Sequence, residues 1–148
     1  MSDDLHNGSN EASVIVAAGV LAAPVLGRVV GMLTARADCP IDRLDDALLI
    51  ADAVAARAGS FSADGRVHVL VAVEIGSLEL LVGPLERDGA DALVASAALP
   101  GVGNVLERVS DALESEQEID GDGEFLRIRL GFDVQRPSMI DRMGSDAS

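Results

Sequence analysis

Apolar residues recur with a period near 3.6 in some stretches of this chain and alternate with a period of two in others. The order of the two patterns predicts a layered α+β domain. Ser13–Leu21, β-branched and then small, predicts a first strand. Pro24 fits the first turn of a helix, in which Val25, Val29, Met32 and Leu33 repeat at helical spacing until near Asp38. Pro40 opens a second helix, and Asp42 adds negative charge near its electropositive start. Ile41, Leu44, Leu48, Ala51 and Ala55 form its apolar stripe, and Gly59 is its natural stop. The two helices make an αα-hairpin.

After Ser60–Gly65 the period switches to two. Val67, Val69, Val71, Val73 and Ile75 share one face of a strand. Gly76–Ser77 turns the chain, and Leu78, Leu80 and Val82 continue the alternation in a second strand, which Gly83–Pro84 ends. Ala90–Leu99 reads as a short helix or ordered loop, and Val102–Leu113 as a helix with Val105, Leu106, Val109, Ala112 and Leu113 on one side. A second hairpin follows, in which Glu118–Ile119 leads through the turn Asp120–Gly123 into a last strand with Leu126, Ile128, Leu130 and Phe132 on one face. The expected fold is a two-layer α/β sandwich, a mixed or antiparallel sheet with helices on one face. Residues 13–133 form one domain in this reading, with loose polar ends at 1–12 and 134–148.

Composition narrows the function. The chain of 148 residues has a net charge of −14, which disfavours nucleic acid and anionic membrane surfaces, because both need basic residues to bind them. The core must be aliphatic, since the chain has three Phe and neither Tyr nor Trp. Cys39 is the single cysteine, so no intramolecular disulfide and no cysteine-built zinc site is available. His6 and His68 have no motif around them to activate a nucleophile. No signal peptide and no long apolar run is recognised, and a cytoplasmic location is expected.

Three segments carry a family resemblance: Leu44–Gly59 (LDDALLIADAVAARAG), the DRLDDA that begins it, and LPGVGNVLERVSDALE from Leu99. With the element order, they resemble the GHKL superfamily of ATP-binding domains shared by gyrase, histidine kinases and heat-shock chaperones. Within it the chain is most similar to small bacterial anti-sigma-factor serine kinases of the RsbW type, over roughly residues 13–132. The resemblance implies a Bergerat-like ATP-binding fold. It also implies a catalytic Glu and a magnesium-holding Asn on the second helix, where this chain has Ala53 and Arg57 within Asp52–Ala58. Arg57 either pairs with a phosphate directly or is a solvated helix-end residue. The family's adenine-binding Asp, in a D-x-G-x-G turn, is replaced by Gly83-Pro84-Leu85-Glu86-Arg87. Pro100–Asn104 before a helix retains a glycine-rich anion cradle.

The nucleotide-binding candidates are therefore Asp52, Arg57, Gly101, Gly103 and Asn104, with no catalytic residue and no metal ligand expected. Asp120, Asp122 and Glu124 alternate around glycines, but Phe125 stands where a calcium loop needs Gly, so the segment reads as a hairpin turn. The acidic run Asp111–Glu124 offers either a surface for a basic partner or a solvated rim. The expected function is a degenerate anti-sigma-kinase-like module. It would bind a regulatory protein, a sigma factor or STAS-type antagonist, in bacterial transcription or stress signalling without catalysis and without a cofactor. The alternative is an active serine/threonine kinase using ATP and magnesium; a homodimer fits either, and a purely structural subunit is a third reading.

Overall fold

Alternation of β-branched and apolar residues produces the largest element of the fold, a five-stranded sheet in the order β1-β2-β3-β7-β6 with every pairing antiparallel. The computed structural model describes residues 10–101 and 103–133. Its strands are β1 (Asn10–Ala17), β2 (Arg66–Glu74), β3 (Ser77–Leu85), β6 (Ala112–Gln117) and β7 (Glu124–Gly131), with a separate two-residue pair, β4 (Ala98–Leu99) and β5 (Gly103–Asn104). Four helices accompany them: α1 (Ala22–Arg36), α2 (Ile41–Arg57), α3 (Gly89–Ser96) and α4 (Val105–Val109). The loose ends expected at 1–12 and 134–148, and His6, fall outside the described residues, except that 10–12 already belong to β1.

One sheet face is aliphatic over its three central strands, with Glu124 as the buried polar exception at the start of β7. Val67, Val69, Val71 and Val73 of β2, Leu78, Leu80 and Val82 of β3, and Leu126, Ile128 and Leu130 of β7 are buried against the helices. The register Val69↔Val82↔Leu126 stacks them across strands, the pairing on which a sheet's stability rests. Ile75, expected on this face, is in the turn and exposed. The opposite face is polar and open, with Glu79, Arg127 and Glu116 joined in an ion network and Ile15 and Leu70 exposed.

Both long helices form where expected; Leu33, Ala51 and Ala55 of the expected stripes are buried, while the other expected positions are shifted outward. α1 buries Ala22, Leu26, Val30, Leu33 and Thr34, leaving Val25 and Met32 exposed. α2 buries Ala47, Ile50, Ala51, Val54 and Ala55, while Ile41 and Leu48 face outward. α2 lies closest along α1, which in turn lies on β1 and β2, and its larger residues Leu48 and Leu49 are displaced to the far side. Buried Thr34 is satisfied by donating to the carbonyl oxygens of Val30 at 2.7 Å and Gly31 at 3.1 Å. Arg43, in the first turn of α2, donates through Nε to the Gly131 carbonyl at 3.0 Å and so ties the helix to the end of β7.

The helix expected over 102–113 is cut short. α4 ends at Val109, and Ala112 and Leu113 instead pair with Arg129 and Ile128 as the start of an edge strand. Sheet hydrogen bonding overrides the helical period there. β1 and β6 are the two edges of the sheet.

The burial pattern of α2 is testable. Ile50→Ala is expected to lower unfolding free energy by about 2–5 kcal/mol, whereas Ile41→Ala should stay within about 0.5 kcal/mol of the parent. Urea denaturation followed by far-ultraviolet circular dichroism measures both.

Candidate functional site

The outward side of α2 brings two of the sequence-identified residues together. Asp52 and Arg57, with Leu49, Ala53 and Ala56, line a cleft of about 210 Å³ closed on its other side by Ala97, Leu99 and Val105. This volume is below the roughly 300–1,000 Å³ usual for small-molecule pockets. Its walls are aliphatic apart from one carboxylate and one guanidinium. Ala53 has no proton acceptor, and Arg57 brings a positive charge where a magnesium ion would need a ligand, so the residues present do not fit ATP with magnesium. Among the described residues, no group of three His, Cys, Asp or Glu side chains could hold a metal ion.

Gly101, Gly103 and Asn104 do not line this cleft; the described part of their segment folds on itself. Ala98 pairs with Asn104 and Leu99 with Gly103 in a tight hairpin. Gly101 and Gly103 have φ of +77° and +95°, so the turn itself requires glycine at both positions. Asn104 is the N-cap of α4. Its Oδ1 accepts from the Glu107 backbone N–H at 3.1 Å, and its Nδ2 donates to the Val94 carbonyl at 2.7 Å. Val105 N–H donates to the Ala97 carbonyl. The N–H groups of Val105 and Glu107 at the start of α4 are thus taken by protein acceptors, and Glu107 adds a negative charge in the same turn. The spacing Asn104-x-x-Glu107 was the available signal for a cap in place of an anion site.

The segment aligned with adenine recognition, residues 83–87, is also absent from the cleft lining. It is held by Glu86 N–H donating to the Phe61 carbonyl at 2.7 Å and by Leu85 pairing with Glu124 in β7. Cys39 is partly buried, and burial pushes its thiol pKa up, against the pull of Arg43. It is not activated as a nucleophile.

Glu124 has a role that local sequence did not reveal. Its carboxylate is 6% exposed and accepts from the backbone N–H groups of Asp88 at 2.9 Å and Ala90 at 3.2 Å, with Gln117 Nε2 at 3.4 Å. It is therefore the anion at the start of α3, supplied from a strand 34 to 36 residues away. The Asp88 N–H is the main cause of a pKa held below the usual glutamate value, and burial opposes it. This explains Glu124 without calcium.

Two outcomes follow from the caps. Asn104→Ala should cost about 1 kcal/mol of stability, read as a lower urea midpoint. For Glu124, a folded-state pKa below the unfolded one means that its stabilisation is present above the unfolded value and lost as pH falls through the folded value. Glu124→Gln should therefore be less stable than the parent at pH 7, with the gap closing below pH ~4 as the parent carboxylate protonates. Thermal unfolding across a pH series checks the sign.

No helix among the described residues is long and apolar enough to cross a membrane. The chain matches no protein-family model and no curated protein.

Proposed function

We propose that this protein is a regulatory protein-binding module built on a degenerate GHKL-type, anti-sigma-kinase-like scaffold, and that it acts without phosphoryl transfer. The reading rests on one observation above others: the α2 cleft holds Leu49, Ala53, Ala56, Leu99 and Val105 with a single acid and a single base. General-base assistance alone contributes ~10²–10⁴-fold in rate, and Ala53 cannot supply it. An aliphatic depression with a polar rim has the composition of a protein contact surface.

The element order supports the scaffold part of the proposal. Strand, helix pair, strand hairpin, short helices and strand pair, with all long helices on one face, is the order that the resemblance implies. Under this reading the partner is a sigma factor or a STAS-type antagonist, engaged through surface complementarity, with no cofactor involved.

Two measurements test it. Calorimetry with ATP and magnesium should give no heat of binding at micromolar protein, and a sigma factor or STAS protein from the same source should co-elute with the chain. Micromolar ATP binding together with transfer of labelled phosphate to such a protein would favour an active kinase instead. Failure of every such protein to co-elute with folded chain would remove the partner part of the proposal.

A further inference from the structure

Charge is divided unevenly between the two long helices. α1 carries Arg28 and Arg36, both exposed, and no acid. On α2 the exposed carboxylates Asp45 and Asp52 stand on the outward side, while Arg43 of the same helix is already held by Asp46, Asp111 and the Gly131 carbonyl. Neither the two arginines nor the two aspartates make a hydrogen bond or ion pair with another described residue. Apolar side chains sit between the charges on both helices. Met32, 47% exposed, lies between the arginines, and Leu48 and Leu49, 37% and 50% exposed, lie between the aspartates. An open groove of about 650 Å³ runs beside them, with Ala23 and Gly27 on its α1 side and Asp45, Leu48, Leu49 and Asp52 on its α2 side. A Cβ added at Gly27 would meet nothing within 4 Å, so the space above it is free.

The two stripes have matching lengths. From Arg28 to Arg36 is about 12 Å along one helix axis, and from Asp45 to Asp52 about 10.5 Å along the other. Within one chain the stripes lie on neighbouring helices and their charges do not meet. A second copy can bring them together. A two-fold axis parallel to the helices lays α1 of one copy antiparallel on α2 of the other, and the same contact repeats across the axis. Arg36, Met32 and Arg28 then fall in order opposite Asp45, Leu48 and Asp52.

We infer that two copies of this chain pair through their α1–α2 faces, with Arg28 opposite Asp52, Arg36 opposite Asp45, and Met32 against Leu48 and Leu49. Adjacent helices of 15 and 17 residues present a face of roughly 25 by 20 Å. Two such faces bury about 1,000 Å² in all, the lower limit for a specific interface, so the dimer dissociates on dilution. The net charge of −14 on each copy opposes approach at long range, but at physiological salt that repulsion is screened beyond about 8 Å, whereas charges in contact are screened much less. The open sheet face offers no such match. Its carboxylates Glu79 and Glu116 are paired with Arg127, Glu79 also lies 4.0 Å from Arg129, and Glu114 borders the same cluster, so both signs are balanced within one copy. The inference goes beyond the proposed function and does not rest on it, since it uses only the charges, the groove and the helix geometry.

Sedimentation equilibrium of the full chain at physiological salt, across the micromolar range, tests it. The mass should rise with concentration from that of one chain, 15.2 kDa, towards twice that value. Arg28→Glu with Arg36→Glu, and separately Asp45→Arg with Asp52→Arg, should each weaken association by about tenfold or more, because like charges then face each other. Their circular dichroism should match the parent, since all four side chains are exposed. An equimolar mixture of the two double variants should associate again, because Glu meets Arg at one contact and Asp meets Arg at the other. A chain that stays monomeric throughout would overturn the inference. So would reversed variants that associate as well as the parent, or a mixture no tighter than either variant alone.

Discussion

The fold depends on one apolar interface: α1 and α2, packed closely on each other, cover one face of the sheet. The central part of the inward sheet face is valine, leucine and isoleucine, and the three phenylalanines are all partly exposed. With no large ring to fill space, small residues occupy much of the helix layer, and Ala47, Ala51 and Ala55 of α2 are buried there beside α1. Close packing of this kind gains dispersion from many small contacts. It also determines what remains outside: once the alanines face inward, Leu48, Leu49 and Asp52 must face away. The cleft and the groove are both consequences of that arrangement.

The strands were legible because valine and leucine at every second position from Val67 to Val82 leave one consistent assignment of faces. The helices were legible in position but only partly in phase. Residues 44–51 are apolar around most of the helix, so periodicity alone does not distinguish the Ile41–Leu48 side from the Ala47–Ile50 side, and the sheet makes that choice. Only the start of β6 was misread, Ala112 and Leu113 being assigned to the helix, because their strand character comes from pairing with Arg129 and Ile128 of β7 across the hairpin. At the candidate site, Asp52 and Arg57 were placed together by a single helix. The glycine-rich segment was recognisable as a turn, but its closure on Val94 and Ala97 is tertiary. Glu124 was the least legible, since its partners at Asp88 and Ala90 adjoin it only after the sheet has formed.

A backbone N–H can serve one acceptor well, and this fold spends those at its helix starts on itself. α4 is capped by Asn104 and α3 by Glu124. A phosphate arriving at either would have to displace a protein acceptor already in place, one of them charged and nearly buried. The caps that stabilise α3 and α4 therefore occupy N–H groups that an anion would otherwise bind at these two helix starts.

The sheet leaves its outer strand β6 with one side of its main chain unpaired by any described strand. Glu114 and Glu116 stand along it. Two molecules meeting there would bring these carboxylates against their counterparts, and like charges at close range oppose the zippering by which exposed strands polymerise. Acidity, which says little about what this chain recognises, thus guards an open flank against fibre-like self-assembly.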